Sequence, residues 1–352
     1  MADAAAATPI TGVQDVTPEW CTGVLDVRVT GLRVEPVGTG QVADTVRLFL
    51  DYDRPGAGPA TLIAKVPAAE EDSRIAARLT RTYEIEASFY RDLAADLPVR
   101  TPRCYHAAHD VDTDAYVVLL EDVAPAQQGD QMHGLTLDEI AGAVDELALL
   151  QGPRWGDATL TELAWLHRSQ PENLDNLVAL ITYAVGPFVE HYSGRVAPET
   201  LAVLERLTPH LDAYLRRRPQ PWTVVHGDFR ADNLLVGGER VVVVDWQTVG
   251  LGPGVTDLSY LLGASVQPEE RLQHERALVE RYVVGLKGHG VGVHEDAVWE
   301  DYRRYAFGGL IMAVVASTLV RRTDRGDEMF ITMADRHARQ ALDLDSLELL
   351  PE

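Results

Sequence analysis

The stretch that decides how this chain is read runs Val225-His226-Gly227-Asp228-Phe229-Arg230-Ala231-Asp232-Asn233-Leu234-Leu235-Val236 and resumes at Val241-Val242-Val243-Val244-Asp245-Trp246-Gln247. Its skeleton is His-x-Asp-x-x-x-x-Asn between two apolar strands, with an Asp 12 residues further on at the end of a valine strand. This spacing puts Asp228, Asn233 and Asp245 at strand ends around one loop. Oxygen donors from Asn233 and Asp245 suit Mg2+, a hard ion that takes a few carboxylate or amide oxygens together with phosphate. Asp228 is then free to accept a proton from an attacking hydroxyl. These are the parts of a phosphoryl-transfer site, where a metal, positioning and one orienting carboxylate do most of the work. Loop-capping Asp and Asn residues are common in turns, which would explain any one of the three but not the full spaced set beside two strands.

The segment resembles the catalytic loop and metal-binding segment of the aminoglycoside phosphotransferase and choline kinase superfamily, which shares the protein-kinase-like fold. The Asp245-Trp246-Gln247 ending is more similar to the ecdysteroid kinase-like branch than to the antibiotic kinases. The resemblance implies an α+β, two-lobed fold: a small, mainly β N-terminal lobe with one key helix, and a larger, mainly α C-terminal lobe. It implies Asp228 as catalytic base, Asn233 and Asp245 as magnesium ligands, and His226 as a brace for the loop. Asp257, in Asp257-Leu258-Ser259-Tyr260, resembles the buried helix aspartate that holds the catalytic loop in place.

Upstream of the loop, Lys65 stands in Leu62-Ile63-Ala64-Lys65-Val66, late in a strand, where this fold keeps its phosphate-binding lysine. Lys65 and Lys287 are the two lysines among 31 basic residues, so a lysine inside an apolar strand invites a specific explanation. A helix over roughly 72–97 carries an apolar stripe of Ile75, Leu79, Tyr83, Tyr90, Leu93 and Leu97, and position 86 fills its gap. An inward carboxylate is costly unless paired, which makes Glu86, rather than Glu84, the partner expected for Lys65. The surrounding Glu86-Ala87-Ser88-Phe89-Tyr90 also resembles the Glu-x-x-Phe-Tyr of the ecdysteroid kinase-like branch. Gly38 and Gly40, in Gly38-Thr39-Gly40-Gln41-Val42-Ala43, sit between two strands. A dinucleotide fold would need a helix after them, whereas the alternation from Thr45 to Tyr52 continues as a strand, the form of a phosphate-covering hairpin. Leu119-Leu120-Glu121-Asp122-Val123 resembles the hinge whose backbone receives adenine, which singles out Glu121 and Val123. The usual Leu-His after the hinge helix is Leu150-Gln151 here.

The rest of the chain bounds the reading. At 352 residues there is room for about two domains. A net charge of −23 argues against nucleic-acid binding and against lying on an anionic membrane. Two cysteines are too few for a disulfide framework or a thiolate zinc site. The N-terminal residues show no signal-peptide pattern, and the longest apolar stretch, Phe307–Val320, is 14 residues against the ~20 of a membrane span. A cytoplasmic protein is expected. Strands fill most of residues 1–122, the expected nucleotide-binding lobe and hinge start. Helices over 137–150, 173–192, 198–217, 269–285 and 294–320 fill most of 123–352, the expected lobe for the catalytic loop, metal site and substrate pocket.

The expected activity is transfer of the γ-phosphate of ATP, with Mg2+, to a hydroxyl of a small-molecule alcohol. Asp257 follows Asp245 by only 12 positions, and the stretch between is rich in Gly and Pro, too short to fold out into a platform for a peptide acceptor. Trp299, Tyr302, Tyr305, Phe307 and Met312 are available either to wall a substrate pocket or to pack in the core. An aminoglycoside-type antibiotic kinase, a kinase of a hydroxyacyl or sterol-like alcohol, and a catalytically silent nucleotide-binding regulator are the other readings. The regulator is disfavoured by the intact set Lys65, Asp228, Asn233 and Asp245.

Overall fold

The computed structural model describes residues 9–38, 42–166, 171–319 and 322–350. Two units divide the chain: one takes in residues up to 96, 101–125 and 244–248, the other 97–100, 126–243 and 249 onward.

The first unit opens with α1 (Pro18–Leu25), started by Pro18 and capped by the Thr17 hydroxyl, which accepts from the Trp20 amide. Strands β1 (Val29–Pro36), β2 (Ala43–Tyr52) and β3 (Thr61–Pro67) follow, then helices α2 (Glu71–Thr80) and α3 (Thr82–Asp92), then β4 (Cys104–His109) and β5 (Tyr116–Glu121). They form one antiparallel sheet in the order β1-β2-β3-β5-β4. The period-two pattern of β2 puts Val46, Leu48 and Leu50 on the buried face, against Leu62, Ala64 and Val66 of β3 and Val117 and Leu119 of β5. Each large aliphatic side chain buried there contributes about 1.5–3 kcal/mol.

The single helix expected over 72–97 is two. Arg81 adopts φ 57°, the left-handed conformation that ends α2, and α3 restarts on a new axis. The stripe is therefore broken: Ile75 and Leu79 are 42% and 80% exposed, while Tyr83, Glu86 and Tyr90 of α3 are buried.

The second unit runs β6 (Gln127–Gln128), α4 (Leu137–Gln151), α5 (Pro171–Tyr192), α6 (Pro198–Leu207), α7 (Leu211–Arg216), β7 (Thr223–Val225), β8 (Leu234–Val236), β9 (Val242–Val243) and β10 (Gly250–Gly252). Helices α8 (Val255–Ser265), α9 (Pro268–Gly288), α10 (Glu295–Arg304), α11 (Gly308–Leu319) and α12 (Asp324–Asp343) complete it. β6, β8 and β9 pair in one small antiparallel sheet, β10 and β7 in another. A capping box starts α4: the Glu139 amide donates to the Thr136 hydroxyl and the Thr136 amide to Glu139 Oε2.

Two expected helices are interrupted. A turn over Thr208–His210, containing Pro209, separates α6 from α7, since Pro cannot donate to the helical ladder. Another at Tyr305–Phe307 separates α10 from α11. Tyr302, Tyr305 and Phe307 are buried core residues, and Trp299 stacks on Tyr302 at 5.3 Å. Helix α12 lies beyond the last helix bounded from the sequence, in the stretch after Asp257 that reads as helical. Among the described residues no helix is long and apolar enough to cross a membrane.

Candidate active site

In the first unit β3 delivers Lys65 and α3 delivers Glu86. Lys65 Nζ lies 2.7 Å from Glu86 Oε1 and 2.8 Å from Asp245 Oδ1. Glu86 is fully buried, and its second oxygen accepts from the Tyr116 hydroxyl at 2.6 Å. Glu84 turns away and pairs with Arg81 at 2.8 Å. Burial alone would lower the Lys65 pKa, but Asp245 and Glu86 together outweigh it and hold the ammonium above its ordinary range. Asp245 stands at φ 65°, a left-handed conformation that Asp tolerates better than most residues, with its side chain 39% exposed. Trp246 is buried next to it, stacked on Phe89 of α3 at 4.0 Å. The helix that carries Glu86 thereby also carries the segment that carries Asp245.

Gly38 follows β1 at φ 75° and is exposed, a backbone state that glycine adopts at no steric cost; Gly40 lies outside the described residues. At the end of β5, the Glu121 amide donates to Arg103 O at 2.8 Å, and Glu121 Oε2 accepts from the Arg103 amide. The Val123 amide meets no hydrogen-bond acceptor among the described residues.

In the second unit the loop between β7 and β8 is held by a buried carboxylate. Asp257, in the first turn of α8, accepts from the His226 amide at 2.7 Å, the Gly227 amide at 2.9 Å and Gln151 Nε2 at 3.1 Å. Burial raises the Asp257 pKa, with His226 and these donors opposing. His226 is fully buried, and its Nδ1 accepts from the Asp228 amide at 3.3 Å. Asn233 donates through Nδ2 to the Asp228 carbonyl at 2.8 Å and to Asp228 Oδ2 at 2.9 Å, which leaves its amide oxygen for another partner. That oxygen is of the kind a hard cation takes, and in the first unit the half-exposed Asp245 carboxylate offers oxygen of the same kind.

Four contributors escaped the sequence reading. Gln151, which the sequence marks only as a departure from Leu-His with no role attached, ties α4 to Asp257 and to the Gly254 carbonyl, and its Oε1 accepts from Tyr282. Tyr116 had no signal beyond strand alternation. Tyr260 lies three residues after Asp257, on the same helix face, and its hydroxyl donates to Asp228 Oδ1 at 2.9 Å. Burial and the neighbouring Asp228 keep that phenol far above its ordinary pKa, so it stays a donor. Arg230, inside the motif itself, places Nε 3.0 and 3.1 Å from the two oxygens of Asp228.

Residues 40–289 match the phosphotransferase enzyme family. The chain belongs to that family. Among solved members of its fold, the choline kinase of Cryptosporidium parvum superposes with a TM-score of 0.56 at 10% identity, covering 98% of this chain and 94% of the other. The amicoumacin kinase hAmiN, solved with AMP-PNP, Ca2+ and amicoumacin, gives 0.53 at 11% identity, covering 95% and 91%. The fold is therefore the two-lobed, protein-kinase-like α+β fold of the aminoglycoside phosphotransferase and choline kinase type. By sequence, the thiamine kinase of Shigella boydii is 30% identical over 128 residues, 36% of this chain and 42% of that enzyme, so the match spans less than half of that relative.

Proposed function

We propose that this phosphotransferase-family chain moves the γ-phosphate of ATP to a hydroxyl of a small molecule. The observation that carries the reading is the Asp228 carboxylate, joined to Asn233 on a loop whose backbone amides are gripped by buried Asp257. Residues 1–122 are assigned to nucleotide binding. There Lys65, fixed by Glu86, would meet the phosphates, Gly38 and Gly40 would cover them, and the backbone at Glu121 and Val123 would meet the adenine. Residues 123–352 supply the catalytic loop and the acceptor pocket. Asn233 and Asp245 would hold Mg2+, which when bound neutralises phosphate charge. An Asp228 carboxylate oxygen takes the hydroxyl proton as the acceptor oxygen bonds to phosphorus and ADP leaves, while His226 and Asp257 keep the loop rigid. Asp245-Trp246-Gln247 and Glu86-Ala87-Ser88-Phe89-Tyr90 favour a place in the ecdysteroid kinase-like branch. The net charge of −23 favours the second reading, a polycationic aminoglycoside acceptor.

The test is radiolabelled ATP with Mg2+ and an acceptor panel of thiamine, choline, aminoglycosides, hydroxyacyl compounds and sterol-like alcohols. A labelled small molecule is expected, and Asp228→Asn lowers its formation ~10²- to 10⁴-fold while MgATP still binds. Label on polypeptides alone, or unchanged turnover in Asp228→Asn, overturns the reading. MgATP binding with no transfer to any acceptor would leave the silent regulator instead.

A further inference from the structure

An ionised aspartate offers about four lone-pair positions on its two oxygens. At Asp228 three donors cover the two oxygens, one of them a single N–H shared by both. Oδ1 accepts from Arg230 Nε at 3.0 Å and the Tyr260 hydroxyl at 2.9 Å; Oδ2 accepts from Arg230 Nε at 3.1 Å and Asn233 Nδ2 at 2.9 Å. A hydroxyl that is to give its proton to this carboxylate has to compete with these donors for it.

The three donors differ in their freedom to do so. Tyr260 is 6% exposed, and its ring stacks on buried His337 with centroids 5.4 Å apart. Asn233 is 4% exposed and anchored by a second bond to the Asp228 carbonyl. Arg230 alone has an alternative carboxylate within reach. Its Nη1 already donates to Asp232 Oδ2 at 2.8 Å and to Gln131 Oε1 at 2.6 Å. Asp232 is itself held, accepting from the Gln131 amide at 2.8 Å through its other oxygen. A small rotation of the guanidinium onto Asp232 would free Asp228 without leaving a buried cation unpaired, the outcome that makes such losses expensive.

We propose that Arg230 is a positioning residue that occupies Asp228 before the acceptor arrives and yields it by shifting onto Asp232. The inference rests on the phosphotransferase reading above, in which Asp228 is the base. The acceptor hydroxyl then competes with Arg230 for the carboxylate, and Asp232 sets how readily Arg230 lets go.

The experiment uses the full chain with water as the phosphoryl acceptor, so that no substrate need be known. Single-turnover hydrolysis of radiolabelled MgATP is measured for the native protein and for Asp228→Asn, Asp232→Asn, Asp232→Glu and the double variant Asp232→Asn/Arg230→Gln, with MgATP affinity recorded for each. Asp232→Asn weakens the receiving site and slows hydrolysis about tenfold, the scale of one charge-assisted hydrogen bond. Asp232→Glu restores the carboxylate and most of the rate. The double variant, with the Arg230 guanidinium gone from Asp228, is faster than Asp232→Asn alone. A purely structural Arg230–Asp232 pair predicts the reverse order, and a double variant no faster than Asp232→Asn overturns the proposal. So does a native rate in Asp232→Asn, or an equal loss in Asp232→Asn and Asp232→Glu. Failure of Asp228→Asn to slow hydrolysis strikes the phosphotransferase reading instead.

Discussion

Replacing Glu86 by Gln removes one charge from a carboxylate whose two oxygens each have a partner. Glu86 is fully buried, and its oxygens accept from Lys65 Nζ at 2.7 Å and from the Tyr116 hydroxyl at 2.6 Å. Breaking a buried ion pair by removing one partner costs ~3–5 kcal/mol because the other charge is left uncompensated. Here Lys65 keeps Asp245 at 2.8 Å, so the lower end applies, and Glu86→Gln should lose about 3 kcal/mol. Urea unfolding, extrapolated linearly to water, reads that loss directly. A second variant isolates the cause. Lys65→Met/Glu86→Met replaces both charges by flexible apolar side chains and should recover much of the stability while binding MgATP far more weakly. The pH dependence has a definite sign. The Lys65 pKa is raised in the folded protein, so its contribution is fully present below the ordinary lysine value of 10.5 and is lost as pH climbs through the folded value. In Glu86→Gln that alkaline loss should begin at lower pH. A Glu86→Gln protein within ~1 kcal/mol of the native one, with the same alkaline profile, would refute the account.

If Asn233 and Asp245 hold Mg2+ as proposed, Asp245→Ala should raise the Mg2+ and ATP concentrations needed for half-maximal activity, and Asn233→Ala should raise them less, because its oxygen is neutral; calorimetric titration with MgATP checks both. His337 is fully buried, its Nδ1 lies 3.2 Å from the Ala306 carbonyl, and burial, with Arg271 and Arg336 nearby, pushes its pKa down to about 4. Its unfolded form takes up a proton first, so stability should fall by about 3 kcal/mol as pH drops from 6.5 towards 4, and His337→Asn should flatten that slope. Thermal unfolding across that range decides it, and an unchanged slope in the variant would assign the acid sensitivity elsewhere.

What the sequence disclosed follows from how far each interaction reaches along the chain. The loop around Asp228 was legible because its chemistry is packed into one short segment flanked by apolar strands. Glu86 was legible because a carboxylate in a helical stripe has to face the core, although the stripe itself was drawn across a break. That break was hidden: Arg81 ends α2 in a left-handed conformation usually signalled by Gly or Asn. The bounds of helix α12 were harder to place: its first turns are charged, Asp324-Arg325-Gly326-Asp327-Glu328, and its start is set by Thr323, which accepts from the Gly326 amide at 3.0 Å. Gln151 and Tyr116 lie 106 and 30 residues from the carboxylates they bond. No local pattern encodes such partners, because tertiary packing alone brings them together.

The two buried carboxylates, Glu86 and Asp257, look alike as devices but stand differently in energy. Glu86 faces an ammonium whose pKa is raised in the folded state, so that ion pair favours folding at neutral pH. Among the described residues Asp257 makes no ion pair; its hydrogen-bond partners are two backbone amides and the Gln151 amide, with His226 nearby. They do not fully offset its desolvation, and its pKa is raised. A carboxyl that binds its proton more tightly when folded subtracts from stability at neutral pH, where it is ionised in the unfolded chain. Stability therefore does not account for a carboxylate at position 257. What it does supply is two fixed acceptors for the His226 and Gly227 amides, which set the direction in which the next residue, Asp228, leaves the loop. On the proposed reading, the protein gives up folding free energy at Asp257 to aim its base. Asp257→Asn separates the two quantities: an amide can accept only one of the two backbone bonds, so turnover should fall by more than any change in stability explains.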